Sequence, residues 1–124
     1  MPSEEFKRRT FDFGIRCVRL ADSLPKTLAA QVIGKQLLRS GTSVGANYRS
    51  AIRAKSRADF IAKMGIVVEE CDEALHWIEV LCALKLIPEK RVRELHLEGN
   101  ELISITISSI KTARRNAKPQ AKPQ

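Results

Sequence analysis

Ser40-Gly-Thr-Ser-Val-Gly-Ala-Asn-Tyr48 is a run of small residues inside an otherwise helical pattern. Glycine weakens a helix by about 1 kcal/mol relative to alanine, and this run contains two glycines. The run therefore predicts either a kink or a place where another backbone approaches closely. We expect a discontinuity between Ser40 and Asn47. The glycines do not form a phosphate loop, because no Gly-Lys-Ser/Thr follows them.

The run lies inside a basic segment, Ser23 to Arg57, that contains no Asp or Glu. Its basic residues are Lys26, Lys35, Arg39, Arg49, Arg53, Lys55 and Arg57. From Asp59 to Glu79 the sign reverses, with six acidic residues against one basic residue, Lys63. This sorting, within a net charge of +8, predicts a cationic face that attracts polyanions. A surplus of charge is also a common aid to solubility.

Length and composition favour one helical domain in a reducing compartment. The 124 residues suit one core, and a hydrophobic fraction of 44% with few aromatics favours helix-on-helix packing. No apolar run reaches the ~20 residues that a membrane span needs. Cys17, Cys71 and Cys82 are expected to be small core residues. Their odd number, with no signal peptide, predicts a cytoplasmic protein.

Periodicity predicts the first two helices. A flexible arm over residues 1–9 precedes a helix that Thr10 caps and that ends near Ser23. Pro25 opens the second helix, which continues to about Lys55. The apolar residues expected to be buried in this pair are Phe11, Ile15, Val18, Ala21, Leu28, Ala29, Val32, Ile33 and Leu37.

The third helix is predicted to be the longest, from about Arg57 to Leu86, and Ser56 caps it. One apolar stripe contains Phe60, Met64, Val67, Val68, Cys71, Leu75, Ile78 and Cys82. A second stripe, well over 100° away, contains Ile66, Glu70, Glu73, Trp77, Val80 and Leu84. A helix that is apolar on two sides has two partners, either a neighbouring helix or a second subunit.

Pro88 opens the fourth helix, on which Leu97 and Ile105 fall outside the main apolar stripe. Four helices with short connections predict an all-α fold, an antiparallel up-down four-helix bundle over residues 10–115. The repeated Ala-Lys-Pro-Gln that follows predicts a disordered basic tail over residues 116–124.

The residues that metal or enzyme chemistry needs are scarce. Glu73-Ala-Leu-His76 has the spacing of a di-iron unit, but such sites need two units and further inward carboxylates. The second helix has no carboxylate, and Glu94-Leu-His96 has the wrong spacing. With only two histidines, acid–base and nucleophilic sites are also poorly supplied. We expect no metal, no cofactor and no enzymatic activity.

Three stretches together carry a family pattern: Leu37-Leu-Arg-Ser-Gly-Thr-Ser-Val-Gly-Ala-Asn-Tyr-Arg-Ser-Ala51, Ser56-Arg-Ala-Asp-Phe-Ile-Ala-Lys-Met64 and Glu70-x-Asp-Glu-Ala-Leu-x-Trp77. Over roughly Phe11 to Arg114 the chain resembles the small four-helix bundle proteins that include the 23S rRNA intervening-sequence proteins. Ser43 and Asn47 are the most specific part of the pattern. Family members usually carry a Glu near the position of Ser50, and often a Pro at Gly45.

The resemblance implies a homopentameric barrel. A related branch, the accessory variability protein of diversity-generating retroelements, has a similar fold, works with a reverse transcriptase and has a basic, nucleic-acid-binding surface. Ser43 and Asn47 are interpreted as structural, because a buried Asn at a kink can satisfy freed backbone groups.

The leading hypothesis is a non-enzymatic oligomeric bundle that binds RNA or DNA through phosphates. The predicted contacts are Lys35, Arg39, Arg49, Arg53, Lys55 and Arg57, with Lys7, Arg8, Arg9 and the basic tail. The sequence offers few side chains on which bases could stack, because Tyr48 and Trp77 are the only Tyr and Trp. The predicted subunit interface is Ile66, Trp77, Val80, Leu84, Leu97 and Ile105.

The alternative is a protein–protein scaffold with incidental charge. Placement separates the two hypotheses. Convergence of the basic residues on one surface favours nucleic acid, whereas pairing of each with an acid of the third helix favours the scaffold.

Overall fold

The computed structural model describes residues 3–117, and all regular structure in that range is α-helical. The helices are α1 (Glu4–Asp22), α2 (Leu28–Ile52), α3 (Arg57–Ala83) and α4 (Glu89–Ala117). The predicted all-α class with four helices is confirmed. The predicted longest helix is wrong, because α4 has 29 residues and α3 has 27. The chain leaves α3 early, and Lys85 adopts a left-handed φ of 58°.

The first helix begins well before the predicted cap. Ser3 is the N-cap, and its hydroxyl accepts a hydrogen bond from the Phe6 amide at 2.9 Å. The predicted flexible arm is therefore helical from Glu4, and Phe6 lies in the core. Thr10 caps nothing; it is fully buried, and its hydroxyl donates to the Lys7 carbonyl.

Two further boundaries differ from the predictions, and one is confirmed. The second helix is capped by Thr27 rather than opened by Pro25. Ser56 caps α3 as predicted, since its hydroxyl accepts from the Asp59 amide at 3.0 Å. The fourth helix continues into the predicted tail as far as Ala117. The rest of the arm and tail predictions, residues 1–2 and 118–124, lies outside the described residues.

The small residues of α2 form its contact with α1. A Cβ added to Gly41 would lie 2.5 Å from the Cβ of Cys17, and one added to Gly45 would lie 3.2 Å from the Cα of Phe11. The expected close approach of a second backbone is therefore present. The predicted discontinuity over residues 40–47 is wrong, because α2 runs unbroken through this segment.

Hydroxyl and amide side chains in this run hydrogen-bond within their own helix. The Ser43 hydroxyl donates to the Arg39 carbonyl at 2.7 Å, and the Asn47 amide donates to the Ser43 carbonyl at 2.8 Å. The Ser40 hydroxyl donates to the Gln36 carbonyl at 2.7 Å. These bonds lie one turn back along the helix and accompany its hydrogen bonds without interrupting them. Ser43 and Asn47 thus have structural contacts, but at no kink.

The buried faces of α1 and α2 are rotated from the predicted ones. Phe11, Leu28 and Val32 were expected in the core, but they are 63%, 81% and 53% exposed. The core positions of these helices include Phe13, Cys17, Leu20, Ala30, Leu37, Val44, Tyr48 and Ala51. The rotation follows from close helix packing, which needs the glycines, and not the largest apolar side chains, between the backbones. The first stripe of α3 is confirmed at Met64, Val67, Cys71, Leu75 and Ile78.

Contacts across two helix pairs run in opposite residue order. Between α1 and α2 the neighbours are Ser3 with Tyr48, Gly14 with Gly41, and Ala21 with Gly34. Between α3 and α4 they are Arg57 with Asn116, Cys71 with Gly99, and Glu79 with His96. The start of one helix in each pair thus lies beside the end of the other.

Candidate nucleic-acid interface

Four helix termini meet at one end of the molecule. The Ser3 amide donates to the Tyr48 hydroxyl at 3.2 Å, which places the start of α1 beside the end of α2. The Arg57 guanidinium donates to the Asn116 carbonyl at 2.7 Å, which places the end of α4 beside the start of α3. The short connection 53–56 joins α2 to α3. We call this the basic end, because its residues include Lys7, Arg8, Arg49, Arg53, Lys55, Arg57, Lys111, Arg114 and Arg115.

Cations outnumber acids at the basic end, where the carboxylates are Glu4, Glu5 and Asp59. Within residues 3–117, no ion pair involves the side chains of Arg49, Arg53 or Lys55. Asp59 is the nearest carboxylate along the chain, and it accepts from the Lys55 amide at 3.2 Å and from Lys63 at 3.1 Å. The Lys55 amide, and then Lys63, lower the pKa of Asp59. Asp59 therefore pairs directly with Lys63, while the Lys55 side chain is exposed and forms no ion pair within residues 3–117.

Helix geometry gives part of this charge a structural role. Arg49 lies in the last turn of α2, and Arg114 and Arg115 lie in the last turn of α4. Cations there interact favourably with the negative end of the helix dipole. The N-terminal end of the dipole is positive, so the dipole does not account for Arg57 at the start of α3 or for Lys7 and Arg8 in the first turns of α1.

Two predicted phosphate contacts lie elsewhere. Arg39, midway along α2, donates to Glu70 at 3.2 Å and also to Glu73. The Glu73 hydrogen bond raises the pKa of Arg39, while the Trp77 indole N–H, and then Arg39, lower the pKa of Glu73. Lys35 lies toward the other end of α2, beside a groove near the α1–α2 connection. The structure thus brings together Arg49, Arg53, Lys55 and Arg57, but not Lys35 or Arg39.

Arg9 is a second basic residue with an internal role. Its guanidinium donates to Glu98 at 2.8 and 3.0 Å and to Glu101 at 2.6 Å, so it joins α1 to α4. These hydrogen bonds raise its pKa. Of the predicted contacts on the arm, Lys7 and Arg8 therefore contribute to the basic end and Arg9 does not.

Aromatic exposure also differs from the prediction. Tyr48 is 1% exposed and packs edge-on against Phe6, with ring centroids 4.8 Å apart. Trp77 is half-buried, and its indole donates to Glu73 at 3.1 Å. Phe11, predicted to be buried, is the most exposed aromatic ring in residues 3–117. Its place in the apolar pattern of α1 gave no sign in the sequence that it is exposed.

The predicted subunit interface is partly open to solvent. Leu97, Leu84 and Ile66 are 60%, 52% and 39% exposed. The other predicted interface residues, Trp77, Val80 and Ile105, are half-buried. Exposed leucine and isoleucine side chains are thus available on both α3 and α4.

Residues 3–117 contain no group of three His, Cys, Asp or Glu side chains placed to hold a metal ion. None of the helices that the structure describes is long and apolar enough to cross a membrane. Burial raises the pKa of the Cys17 and Cys71 thiols to about 12, so neither is a ready nucleophile.

The fold and its charged end define the class as a small, basic, all-α protein of four helices. Within that class, the family model described as 23S rRNA-intervening sequence protein matches residues 4–108, and the chain belongs to this family. No curated protein matches the chain.

A solved structure is similar over most of its length. It is the crystal structure of a protein of unknown function from the S23 ribosomal protein family of Bacteroides thetaiotaomicron. The two sequences are 38% identical, the match covers 86% of this chain and 98% of that one, and the TM-score is 0.80.

Proposed function

We propose that this protein is a non-enzymatic, cytoplasmic, oligomeric helical bundle that binds RNA or DNA through phosphate contacts at its basic end. The observation that supports the proposal is the exposure of four cations within residues 49–57, namely Arg49, Arg53, Lys55 and Arg57. Exposed cations without acidic partners attract phosphates, and each contact releases counterions from the nucleic acid. The family description, which refers to an rRNA intervening sequence, makes structured RNA the first ligand to test.

The proposed assembly is a ring of five antiparallel up-down bundles. The opposite residue order across α1–α2 and α3–α4 supports the antiparallel arrangement. Leu84, the C-cap of α3, and Leu97 on α4 are exposed apolar residues from two helices, and we propose that they belong to the two different faces that a head-to-tail contact requires. A closed ring repeats the basic end on one side, so weak phosphate contacts combine through effective concentration. A nucleic-acid enzyme such as a reverse transcriptase is a further proposed partner.

A protein–protein scaffold is the second candidate function. The pairing of Arg39 with Glu70 and Glu73 favours it, because one predicted phosphate contact is satisfied inside the chain. The exposed side chains of Leu28 and Val32 also favour it, since they add apolar surface outside the predicted subunit interface.

The test of nucleic-acid binding is Arg49→Glu combined with Arg53→Glu. Wild-type affinity for a labelled RNA hairpin is expected to fall linearly with salt on a log–log plot, by about 0.9 per duplex phosphate neutralised. The double variant should weaken binding and flatten this slope. Helix content, measured by circular dichroism, should change little, because both side chains are exposed and the dipole interaction of Arg49 contributes only about 0.3–1 kcal/mol.

A matched pair of single variants separates local contact from net charge. Arg49→Gln and Arg39→Gln each remove one positive charge, but only Arg49 lies at the basic end. We expect a flatter salt slope for Arg49→Gln and the wild-type slope for Arg39→Gln. Equal slopes for the two would contradict the proposed site. No wild-type binding at low salt to single-stranded RNA, duplex DNA or structured RNA would remove the nucleic-acid proposal and leave the scaffold.

A further inference from the structure

A groove of about 450 Å³ lies between α1 and α2 at the basic end. The side chains of Lys7, Arg8 and Arg49 line it together with the ring of Phe11. Phe11 is 63% exposed, a large fraction for an aromatic ring. The groove thus combines an open aromatic surface with cations from two helices.

Close packing of the two helices explains why the ring is outside the core. A Cβ added to Gly45 would lie 3.2 Å from the Cα of Phe11 and 3.3 Å from its backbone nitrogen. Where Gly45 faces Phe11, the backbones of α1 and α2 are in contact, so no room remains between the helices for a phenyl ring. Phe11 is therefore held at the edge of the contact, beside Arg49 on the next turn of α2.

We propose that this groove binds an unpaired nucleotide of a single-stranded nucleic acid, with the base stacked on Phe11 and the flanking phosphates on Lys7, Arg8 and Arg49. The inference rests on the proposed nucleic-acid function and narrows it to single-stranded segments. Only an unpaired base exposes its face to a side chain, and stacking on an aromatic ring tolerates every base. Lys7 and Arg8 on α1 and Arg49 on α2 supply cations for the flanking phosphates from two helices.

Two carboxylates share the groove and restrict how a nucleotide can lie in it. Glu4 and Asp12 line it as well, and their charges repel phosphates. Carboxylate oxygens accept hydrogen bonds, and the exocyclic amino groups of adenine, cytosine and guanine donate them. The phosphates are thus expected against Lys7, Arg8 and Arg49, and an exocyclic amino group of the base is expected to donate to Asp12, which follows Phe11 in the chain.

The experiment uses the full chain and a short single strand that contains 2-aminopurine, whose fluorescence is quenched on stacking. Wild-type protein should quench the probe at saturation. Phe11→Ala should abolish this quenching and weaken single-strand affinity by about 5- to 160-fold, the range that one stacked base contributes. The salt slope should stay at the wild-type value, because no phosphate contact is removed. Affinity for a duplex of the same sequence should change less than twofold.

Two control variants make the test specific. Phe11→Trp keeps an aromatic face and should retain both quenching and affinity. Leu28→Ala truncates another exposed apolar side chain, one that lies at the opposite end of α2, and should leave both unchanged.

Three outcomes would overturn the stacking proposal. The first is wild-type quenching and affinity in Phe11→Ala. If Arg49→Gln still weakened binding in that case, the proposal of nucleic-acid binding would be supported and only the proposal of stacking on Phe11 would be contradicted. The second is a lower oligomer mass for Phe11→Ala in light scattering, which would assign the ring to a subunit contact. The third is equal wild-type affinity for single strands and duplexes.

Discussion

Gly41→Val is expected to lower the free energy of unfolding by about 3 kcal/mol, at the upper end of the usual cost of overpacking. A Cβ at Gly41 would lie 2.5 Å from the Cβ of Cys17 and 2.6 Å from its sulfur, distances that require the helices to shift. The two backbones are already close at this point, since the Gly41 carbonyl oxygen lies 3.1 Å from where a Cβ on Gly14 would be. A small movement of one helix therefore cannot easily remove the clash. Urea denaturation at a fixed protein concentration measures the effect.

The chain contains a matched control for this substitution. Gly65 lies in the middle of α3, and a Cβ there would meet no atom within 4 Å. Gly65→Ala should therefore stabilise the protein by about 0.5–1 kcal/mol through helix propensity alone.

In a double-mutant cycle, Cys17→Gly should offset part of the cost of Gly41→Ala, since it removes the opposing atoms. An unfolding free energy for Gly41→Val within 1 kcal/mol of wild type would contradict the close contact of α1 and α2.

The glycine run shows what sequence can and cannot predict about this fold. Two glycines among small residues predicted either a kink or a close backbone approach, and only the close approach is present. The sequence did not identify Cys17 and Phe11 as the opposing residues, since this depends on how α1 lies across α2. The same unknown rotation explains why Leu28 and Val32 were placed in the core. By contrast, the first stripe of α3 repeats over many turns and fixes its own buried face.

Those residues of the candidate site that are close together in the sequence could be predicted from it. Arg49, Arg53 and Arg57 lie within one short segment, so their closeness follows from the sequence, although α2 ends at Ile52 and Arg57 belongs to α3. Arg39 belongs to the same basic segment, but its partners Glu70 and Glu73 are contributed by another helix. Pairing across helices depends on their relative register, which charge patterning along one helix does not contain. The exposure of Phe11 beside Arg49 is hidden for the same reason.

Exposed leucines at the end of α3 and on α4 are the residues through which the proposed ring would assemble. Leu84 and Leu97 are more than half exposed, so replacing either should leave the folded subunit intact. If one face packs against the other in a head-to-tail ring, each subunit uses both. A charge buried in such a contact is costly unless it is paired, so one substitution should open every interface at once.

Leu84→Glu is therefore expected to convert a five-chain ring into single chains, and Leu97→Glu should do the same. Mass measured by light scattering at micromolar concentration checks each variant, and unchanged circular dichroism shows that the subunit is still folded. Leu38→Glu is the control, because Leu38 is 38% exposed but lies outside the proposed interface. It should keep the wild-type mass.

Mixing the two variants tests whether the contact is head-to-tail. The Leu84→Glu chain retains an intact α4 face, and the Leu97→Glu chain retains an intact α3 face, so one sound interface can form between them. The mixture should give two-chain complexes and nothing larger, because the remaining faces of each pair carry the new carboxylates. A symmetric contact, in which each face meets its own copy, gives a different result: each variant alone would form dimers through its intact face. A wild-type protein that is a single chain at micromolar concentration would contradict the ring itself.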